Sequence, residues 1–213
     1  MLPLYYTVKG YGEEEITIQK SRFIAYVNRA ETEEQAQAFI AEIKKKNWNA
    51  THNCSAYMIG ETDHIQKAND DGEPSGTAGL PILEVLKKRG LKDTVVVVTR
   101  YFGGIKLGTG GLIRAYGKSA SEGINAAKVA ERRLMQVMNA SIDYTWLGKV
   151  ENELRSSIYE IKDIHYLDTV TVETFVEESQ KEAFTAWITE LTNGQAVITE
   201  GKQLYQEKIV DPS

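Results

Sequence analysis

One stretch of this sequence constrains the fold more than any other, because glycine is unusually frequent in it. More than half of the chain's 17 glycines lie between Gly72 and Gly117. Glycine at this density weakens ordinary helices and strands, so the stretch must gain something from bare backbone. Glycine-rich loops that open helices can hold an anion or let another macromolecule approach closely. We therefore expect the functional region here, among the basic residues Arg100, Lys106, Arg114 and Lys118.

The composition is that of an ordinary globular protein. The 213 residues are 42% hydrophobic and 26% charged, which allows one large domain or two small ones, each with a real core. No apolar run reaches the roughly 18 residues that span a bilayer, and residues 1–9 lack the pattern of a secretory signal. The single cysteine excludes an internal disulfide and fits a reducing compartment. We expect a cytoplasmic protein with no membrane contact.

Charge is distributed unevenly along the chain. Residues 1–135 carry 19 Lys and Arg against 16 Asp and Glu, a net charge of +3, whereas residues 136–213 carry 6 against 14, a net charge of −8; together these give the overall −5. Within residues 87–133 there are 11 basic and 3 acidic side chains. A basic region beside an acidic one would orient the protein on an anionic partner, although lysines at helix ends that merely face solvent give the same counts.

Hydrophobic periodicity predicts alternating strands and helices in the first part of the chain. We predict strands at 15–19, 22–27, 52–59, around residue 65 and at 93–99, with helices at 32–47, 78–89 and 111–128. Thr32 and Gln35 have the spacing of a capping box at the start of the first helix. The third helix has a buried stripe at i, i+4, i+8, i+11 and i+15 that leaves Arg114 and Lys118 on the opposite side. The stripe consists of Leu112, Tyr116, Ala120, Gly123 and Ala127.

A second domain is predicted from residue 136 onward, where both the pattern and the charge change. The predicted order is strand 137–144, helix 146–158, strands 159–165 and 169–176, helix 179–192 and strand 196–206. This βαββαβ order is the signature of a ferredoxin-like domain. Asn193 and Gly194 are expected to end the second helix in a left-handed cap. The sequence thus predicts an α+β chain with domains at 1–135 and 136–213.

The first glycine loop, residues 70–79, offers carboxylates, turn formers and a helix cap. Its motif residues are Asp71, Gly72, Glu73, Pro74, Ser75, Gly76 and Thr77. A metal site would need converging oxygen ligands, but the spacing matches no EF-hand pattern. Turn residues with Ser75 or Thr77 as the N-cap of the following helix are favoured over a metal site.

The second glycine loop, residues 103–111, follows a strand and opens a helix, as phosphate-binding loops do. Its glycines are Gly103, Gly104, Gly108, Gly110 and Gly111. The loop matches neither the Walker A nor the GxGxxG pattern, so support for nucleotide-dependent chemistry is weak. Its N–H groups and the neighbouring Arg100, Lys106, Arg114 and Lys118 suit RNA phosphates or a carboxylate-bearing protein surface. Phe102 and Tyr116 are expected to pack in the core rather than to stack on bases.

No catalytic or metal-binding set is evident elsewhere in the sequence. His52 and Cys54 share one face of a predicted strand, but side chains at i and i+2 are too far apart to guarantee a nucleophile–base pair. A buried cysteine behaves as a small hydrophobic residue, so a structural role is favoured over catalysis. His64 and His165 are isolated, which gives no zinc cluster. We expect no catalytic residue, no metal and no cofactor.

Three segments resemble the IMPACT family in its two-domain bacterial form. They are His52–Tyr57 (HNCSAY), Asp71–Leu83 (DGEPSGTAGLPIL) and Arg100–Tyr116 (RYFGGIKLGTGGLIRAY), and no position inside them departs from the family pattern. The resemblance covers essentially the whole chain. It implies a first domain like domain 2 of ribosomal protein S5 and a ferredoxin-like second domain, a pair similar to the last two domains of elongation factor G.

The resemblance also implies a link to translation. Eukaryotic relatives regulate translation through an extra N-terminal domain that this sequence does not contain, so that specific role is not implied here. Our first hypothesis is a non-enzymatic, translation-associated regulatory factor that binds RNA or ribosomal components through the basic glycine-rich surface. The alternative is an enzyme acting on a phosphorylated small molecule or nucleotide between the two glycine loops, with Asp70, Asp71 or Glu73 as acid or base. A third possibility is a protein partner in translation control.

Overall fold

The computed structural model describes residues 1–210, which form a mixed α/β chain with two domains. One compact unit comprises Met1–Arg132 together with residues 207–210, and the other comprises Arg133–Gln206. The chain therefore passes between the units twice, and the first unit is not continuous in sequence. Among the described residues, no helix combines the length and apolarity needed to cross a membrane.

The first unit is built around a five-stranded sheet. The strands pair in the order β2-β3-β6-β4-β5, and every pairing is antiparallel. The strands of this sheet are β2 Gly12–Ile18, β3 Ser21–Arg29, β4 His52–Ile59, β5 Ile65–Asn69 and β6 Thr94–Tyr101, and β1 Leu4–Val8 lies outside it. The helices are α1 Glu33–Lys46, α2 Gly79–Lys88 and α3 Gly108–Ala127.

The central strand β6 shows how the sheet is covered on both faces. Val96 and Val98 belong to the core that packs under α2 and α3, whereas Val95 and Val97 belong to the core under α1. Successive side chains of a strand point to opposite faces, so four consecutive valines require apolar cover on both. The sequence predicted cover on at least one face; the structure provides it on two.

The second unit contains the predicted βαββαβ order. Its strands pair in the order β10-β7-β9-β8, and Val150, Leu154, Phe184 and Ile188 of the helices are buried in its core. The elements are β7 Val129–Ile142, α4 Tyr144–Arg155, β8 Glu160–Tyr166, β9 Val170–Val176, a 3₁₀ turn Glu178–Gln180, α5 Lys181–Leu191 and β10 Val197–Val210.

Local sequence signals account for several helix ends. Thr32 Oγ1 accepts a hydrogen bond from Gln35 N at 3.3 Å, which confirms the Thr32 half of the capping box. The return bond is shifted by one residue, because Gln35 Oε1 accepts from Glu31 N at 2.8 Å rather than from the N–H of Thr32. After α5, Asn193 and Gly194 both have positive φ, and Gly194 N donates to Thr189 O at 2.8 Å. The left-handed cap predicted there is confirmed.

Several elements differ from the prediction, and the causes of three differences are clear from the sequence. The strand β1 was not predicted, because its short segment follows Pro3 and carries no alternating pattern. Helix α3 begins at Gly108 rather than at 111, since the glycines that discourage a helix prediction lie inside its first turn. Strand β7 begins at Val129 rather than at 137, because a charged run including Arg132 and Arg133 interrupts the apolar pattern that marks a strand.

The end of β10 is held in the first unit by ion pairs. Glu207 accepts from Lys9 Nζ at 2.7 Å and from Arg29 Nη2 at 2.8 Å. Burial raises the pKa of the Glu207 carboxyl, but hydrogen bonds from Lys9 and Arg29 outweigh it, so the pKa lies below its ordinary value. The first unit thus uses residues from both ends of the chain.

Two helical glycines provide a matched test of packing. A Cβ on Gly123 of α3 would lie 2.6 Å from the Cβ of Ala25, whereas a Cβ on Gly148 of α4 would meet nothing within 4 Å. We expect Gly123→Ala to lower the free energy of unfolding by about 1–3 kcal/mol through overpacking. Gly148→Ala should raise it by roughly 0.5–1 kcal/mol, because alanine favours the helix. Urea denaturation followed by circular dichroism measures both, and equal effects of the two substitutions would contradict the close contact of α3 with the sheet.

Candidate functional site

Both glycine loops leave the same end of the first unit's sheet. Strand β4 is antiparallel to β5 and to β6, so the end at which β4 begins is the end at which β5 and β6 finish. The first glycine loop follows Asn69 of β5 and the second follows Tyr101 of β6. We refer to this end, where His52 opens β4, as the loop end of the sheet. The turn at Gln19 and Lys20 lies here too, because Arg22 pairs with Tyr101.

Asp70 shapes the first glycine loop by accepting three backbone hydrogen bonds. Its Oδ2 accepts from Gly76 N at 2.8 Å, and its Oδ1 accepts from Ala78 N at 3.0 Å and Gly79 N at 2.9 Å. Burial raises the pKa of this carboxyl, but the three N–H groups outweigh burial and lower it overall. Asp70 therefore supplies the anionic cap at the start of α2.

This arrangement corrects the prediction that Ser75 or Thr77 caps α2. The N-cap position is Ala78, which has no side-chain hydrogen bond to offer. Thr77 Oγ1 instead donates to Pro74 O at 2.7 Å, and Ser75 is exposed. The prediction was wrong because it searched only the residues immediately before the helix, whereas the capping carboxylate comes from the start of the loop.

Asp71 attaches the same loop to strand β4 and helix α1. Its carboxylate accepts from Lys44 Nζ at 2.6 Å and from Asn53 N at 2.7 Å, and its carbonyl oxygen lies 2.8 Å from His52 Nδ1. Burial raises the pKa of Asp71, and the bonds from Lys44 and Asn53 lower it to a net value below the ordinary one. Gly72 follows with φ of +88°, a conformation that a side chain would strain.

Glu73 points into the interior and joins the loop to β6 and α3. Its Oε1 accepts from Arg100 Nη1 at 2.7 Å and from Tyr116 Oη at 2.7 Å, while Oε2 lies 3.8 Å from His52 Nε2. The side chains of Glu73 and Arg100 are only 3% and 6% exposed. A pair this deeply buried is held by mutual compensation, because either charge alone would be strongly unfavourable.

Arg100 is therefore placed differently from the surface role that we predicted for it. It is buried, and its guanidinium carbon lies 5.4 Å from the ring centroids of both Phe23 and Phe102. It lies within strand β6, whose side chains from Thr94 to Arg100 are buried on both faces of the sheet. Its charge therefore lies in the interior and needs a partner there. The sequence could not supply that partner, because Glu73 is 27 residues away.

The aromatic predictions at this end are half right. Tyr116 is fully buried, as predicted, and packs edge-on against Phe23 with ring centroids 5.3 Å apart. Phe102 is 47% exposed, so the prediction that it packs in the core was wrong. It follows the last residue of β6, where the chain leaves the cover of the helices.

Cys54 lies in this buried cluster without the features of a nucleophile. Its Sγ donates to Asp70 O at 3.0 Å, and burial raises the pKa of the thiol to about 12. A thiol in this state carries almost no thiolate at neutral pH. Among residues 1–210, no group of three His, Cys, Asp or Glu side chains is arranged to hold a metal ion.

The second glycine loop presents free positive charge. Lys106, Arg114 and Lys118 are exposed, and within the described part of the chain none of them makes a hydrogen bond or an ion pair. The Arg114 guanidinium lies over Gly110, with Nη1 3.5 Å from the place a Cβ would occupy. We call Lys106, Arg114, Lys118 and the backbone of residues 103–111 the basic surface.

The start of α3 adds unpartnered N–H groups to this surface. Its N-cap, Leu107, has no side-chain hydrogen bond to give, and no acidic residue lies in the first turn. Gly108, Gly110 and Gly111 lie in that turn, and Gly104 and Gly108 have φ of +85° and +71°. The first N–H groups of a helix without a cap carry partial positive charge and attract anions.

Gly103 is required by a close approach of two backbones. A Cβ there would lie 2.0 Å from the carbonyl oxygen of Lys20. This contact brings the exposed Lys20 next to the second glycine loop, a neighbour that sequence reasoning missed. The sequence does predict a short turn between two strands at Lys20. It does not show which loop that turn contacts.

A second missed residue is Trp48, which is 82% exposed in the segment between α1 and β4. The segment is fixed to the end of β6: Asn47 Oδ1 accepts from Tyr101 Oη at 3.0 Å, and Thr51 Oγ1 accepts from Phe102 N at 3.0 Å. A lone tryptophan between two asparagines was the available signal in the sequence.

Comparison with known proteins identifies both halves of the chain. Residues 19–124 match the Impact N-terminal domain and residues 141–195 match a domain of unknown function, DUF1949. The IMPACT family member YvyE of Bacillus subtilis is 66% identical over 211 residues, covering 99% of this chain and 97% of that protein. An IMPACT family member of Haemophilus influenzae is 38% identical over 188 residues, covering 87% and 90%.

A solved structure shares the fold over nearly the whole chain. The crystal structure of a hypothetical protein superposes with a TM-score of 0.60 at 26% sequence identity, covering 95% of this chain and 99% of the other. This similarity supports the arrangement of helices and strands described above. It does not bear on the chemistry of the site.

The buried carboxylate of Glu73 gives a first test of this site. We expect Glu73→Gln to lower the free energy of unfolding by about 3–5 kcal/mol, because it leaves the Arg100 guanidinium buried without its counter-charge. Tyr116→Phe, which removes only one hydroxyl from the same carboxylate, should cost about 1 kcal/mol. Urea denaturation measures both. If Glu73→Gln costs no more than Tyr116→Phe, the ion pair does not hold the loop.

The cap carboxylate of Asp70 gives a second test, with a defined pH dependence. We expect Asp70→Asn to lower the free energy of unfolding by about 1–2 kcal/mol at neutral pH. Because the folded-state pKa lies below the ordinary 3.8, the stabilisation is present well above that value and is lost as the pH falls through the folded pKa. Asp70→Asn should therefore flatten stability against pH in this acidic range. Glu42→Gln, on the exposed side of α1, is the control and should leave the wild-type slope intact.

Proposed function

Because the chain belongs to the IMPACT family, we propose that it is a cytoplasmic, non-enzymatic, translation-associated regulatory factor that contacts RNA or ribosomal components through the basic surface. The link to translation comes from the family resemblance. The location of the contact rests on Lys106, Arg114 and Lys118, which are exposed and unpaired among the described residues.

The charge pattern around the basic surface is the observation that carries the proposal. Between Asp93 and Glu122 the chain has no Asp or Glu, although four basic side chains lie in that interval. Of these four, Arg100 is neutralised by Glu73 in the interior, which leaves three free cations beside the uncapped start of α3. Cations of this kind bind phosphates, and helix N-termini add backbone donors to the same contact.

The alternative of an enzyme acting between the glycine loops has less support. Asp70 accepts three backbone hydrogen bonds, Asp71 is paired with Lys44, and Glu73 is paired with Arg100. Each acid or base candidate is thus engaged in holding the loop. A catalytic carboxylate must reach a proton on its substrate. The carboxylates of Asp70, Asp71 and Glu73 instead bind groups of the protein itself.

We also propose a fold for each of the two units, and both folds are consistent with a translation-associated factor. The second unit has the βαββαβ order and the sheet order β10-β7-β9-β8, which supports a ferredoxin-like assignment. For the first unit we propose the fold of domain 2 of ribosomal protein S5. Its glycine loops lie together at one end of the sheet, where a partner can approach bare backbone. A protein partner in translation control could use the same surface, with a weaker dependence on salt.

Removing the free cations tests the proposal. We expect the triple variant Lys106→Ala, Arg114→Ala, Lys118→Ala to bind ribosomal RNA more weakly than wild type, and to lose salt dependence. Each phosphate contact contributes roughly 0.7–0.9 to the slope of log K against log salt concentration, so three contacts should change the slope by about 2. Fluorescence anisotropy between about 50 and 200 mM KCl covers the range in which such slopes are measured.

The matched control removes the same charge from elsewhere. Lys45, Lys88 and Lys202 are exposed and lie outside the basic surface, so their triple alanine variant should keep most of the wild-type slope. If both triple variants bind alike, binding follows net charge and the proposed surface is wrong. If wild-type protein binds no RNA and does not sediment with ribosomes, the proposed function is wrong.

A further inference from the structure

Two exposed aromatic side chains at the loop end of the sheet are unexplained by phosphate binding. Trp48 is 82% exposed and Phe102 is 47% exposed. Single exposed rings are common on protein surfaces, but two rings at the end of the sheet that also carries the basic surface offer a partner both a flat apolar contact and positive charge. Their positions in the fold suggest what that partner is.

The segment that carries Trp48 is fixed by hydrogen bonds on both sides. Asn47 Nδ2 donates to Ile43 O at 3.1 Å, and Asn47 Oδ1 accepts from Tyr101 Oη at 3.0 Å. After the tryptophan, Thr51 N donates to Arg100 O at 2.9 Å. The backbone on either side of Trp48 is therefore ordered before any partner binds. Less conformational entropy is then lost when a partner contacts the ring.

Phe102 is placed on the same frame. Its backbone N donates to Thr51 Oγ1 at 3.0 Å, and the Arg100 guanidinium lies 5.4 Å from its ring centroid. The buried Glu73 holds that guanidinium at 2.7 Å. Arg100 thus supports one side of the ring from within, and the exposed part of the ring faces solvent.

The charge around the two rings is positive. The backbone carbonyl of the exposed Lys20 lies against Gly103, directly after Phe102, and Lys106 of the basic surface follows in the same loop. Two of the three carboxylates of strand β2 are engaged: Glu15 with Arg22 at 2.8 Å and Glu13 with Lys46 at 3.2 Å. The third, Glu14, lies near the start of β2, away from the turn that holds Lys20. An anionic partner therefore meets free cations at this turn and in the second glycine loop.

We infer that Trp48 and Phe102 stack on unpaired bases of single-stranded RNA whose phosphates contact the basic surface. Every base has a flat face that stacks on an aromatic ring, and single strands expose these faces while duplexes hide them. A single strand of RNA can therefore place its bases on the exposed rings and its phosphates on the free cations. This inference rests on the proposed function and narrows its RNA partner to unpaired segments.

The experiment compares a fluorescein-labelled 12-nucleotide oligouridine with a 12-base-pair RNA duplex, both measured by anisotropy. We expect wild-type protein to bind the single strand more tightly than the duplex. Trp48→Ala and Phe102→Ala should each weaken single-strand binding at least fivefold, while leaving duplex binding and the salt slope unchanged. Trp48→Phe keeps a stacking ring and should retain most of the affinity.

The control is Tyr166→Ala, which removes a 59% exposed ring from the second unit and should have no effect. If Trp48→Ala and Phe102→Ala bind the single strand as well as wild type does, while the triple cation variant loses its salt slope, the stacking inference alone is overturned. If wild-type protein binds neither RNA, the proposed function falls and this inference falls with it. Binding of a protein partner that depends on Trp48 in the absence of RNA binding would also overturn it.

Discussion

The ion pair between Glu73 and Arg100 is the interaction on which the loop end of the sheet depends. It joins the first glycine loop to the strand that leads into the second, and Tyr116 extends the contact to α3. Taking two charges out of water is unfavourable, so the pair is tolerated only while both members and their hydrogen bonds are present. Because neither charge is stable in the interior without the other, the ion pair fixes the position of the first glycine loop relative to the second.

The two loops are both rich in glycine, but they have different roles. In the first, each carboxylate bonds inward: Asp70 to the start of α2, Asp71 to β4 and α1, and Glu73 to the interior. In the second, the charged side chains remain free and exposed. Glycine serves both, since the first loop needs left-handed backbone and the second needs close approach, as at Gly103. The first glycine loop thus holds the surrounding elements together, and the second presents its charges to solvent.

The sequence predicted the elements better than it predicted the site. Periodicity identified the buried stripe of α3 and the βαββαβ order, because both depend on local patterns. Burial of Arg100, capping by Asp70 and exposure of Phe102 depend on residues far apart in the chain or on where helices end their cover, and no local pattern encodes them. The position of Trp48 could not be predicted for the same reason, since the hydrogen bond that attaches its segment to β6 joins residues 54 positions apart.

The return of strand β10 to the first unit has a consequence for how such a chain can be divided. Because Glu207 binds Lys9 and Arg29, the first domain contains residues from both sides of the second. The second domain is in effect an insertion near the end of the first. A single cut cannot therefore yield two complete domains. A protease acting at one point between the domains would leave the first domain without the end of its last strand, and the ion pairs of Glu207 would be lost with it.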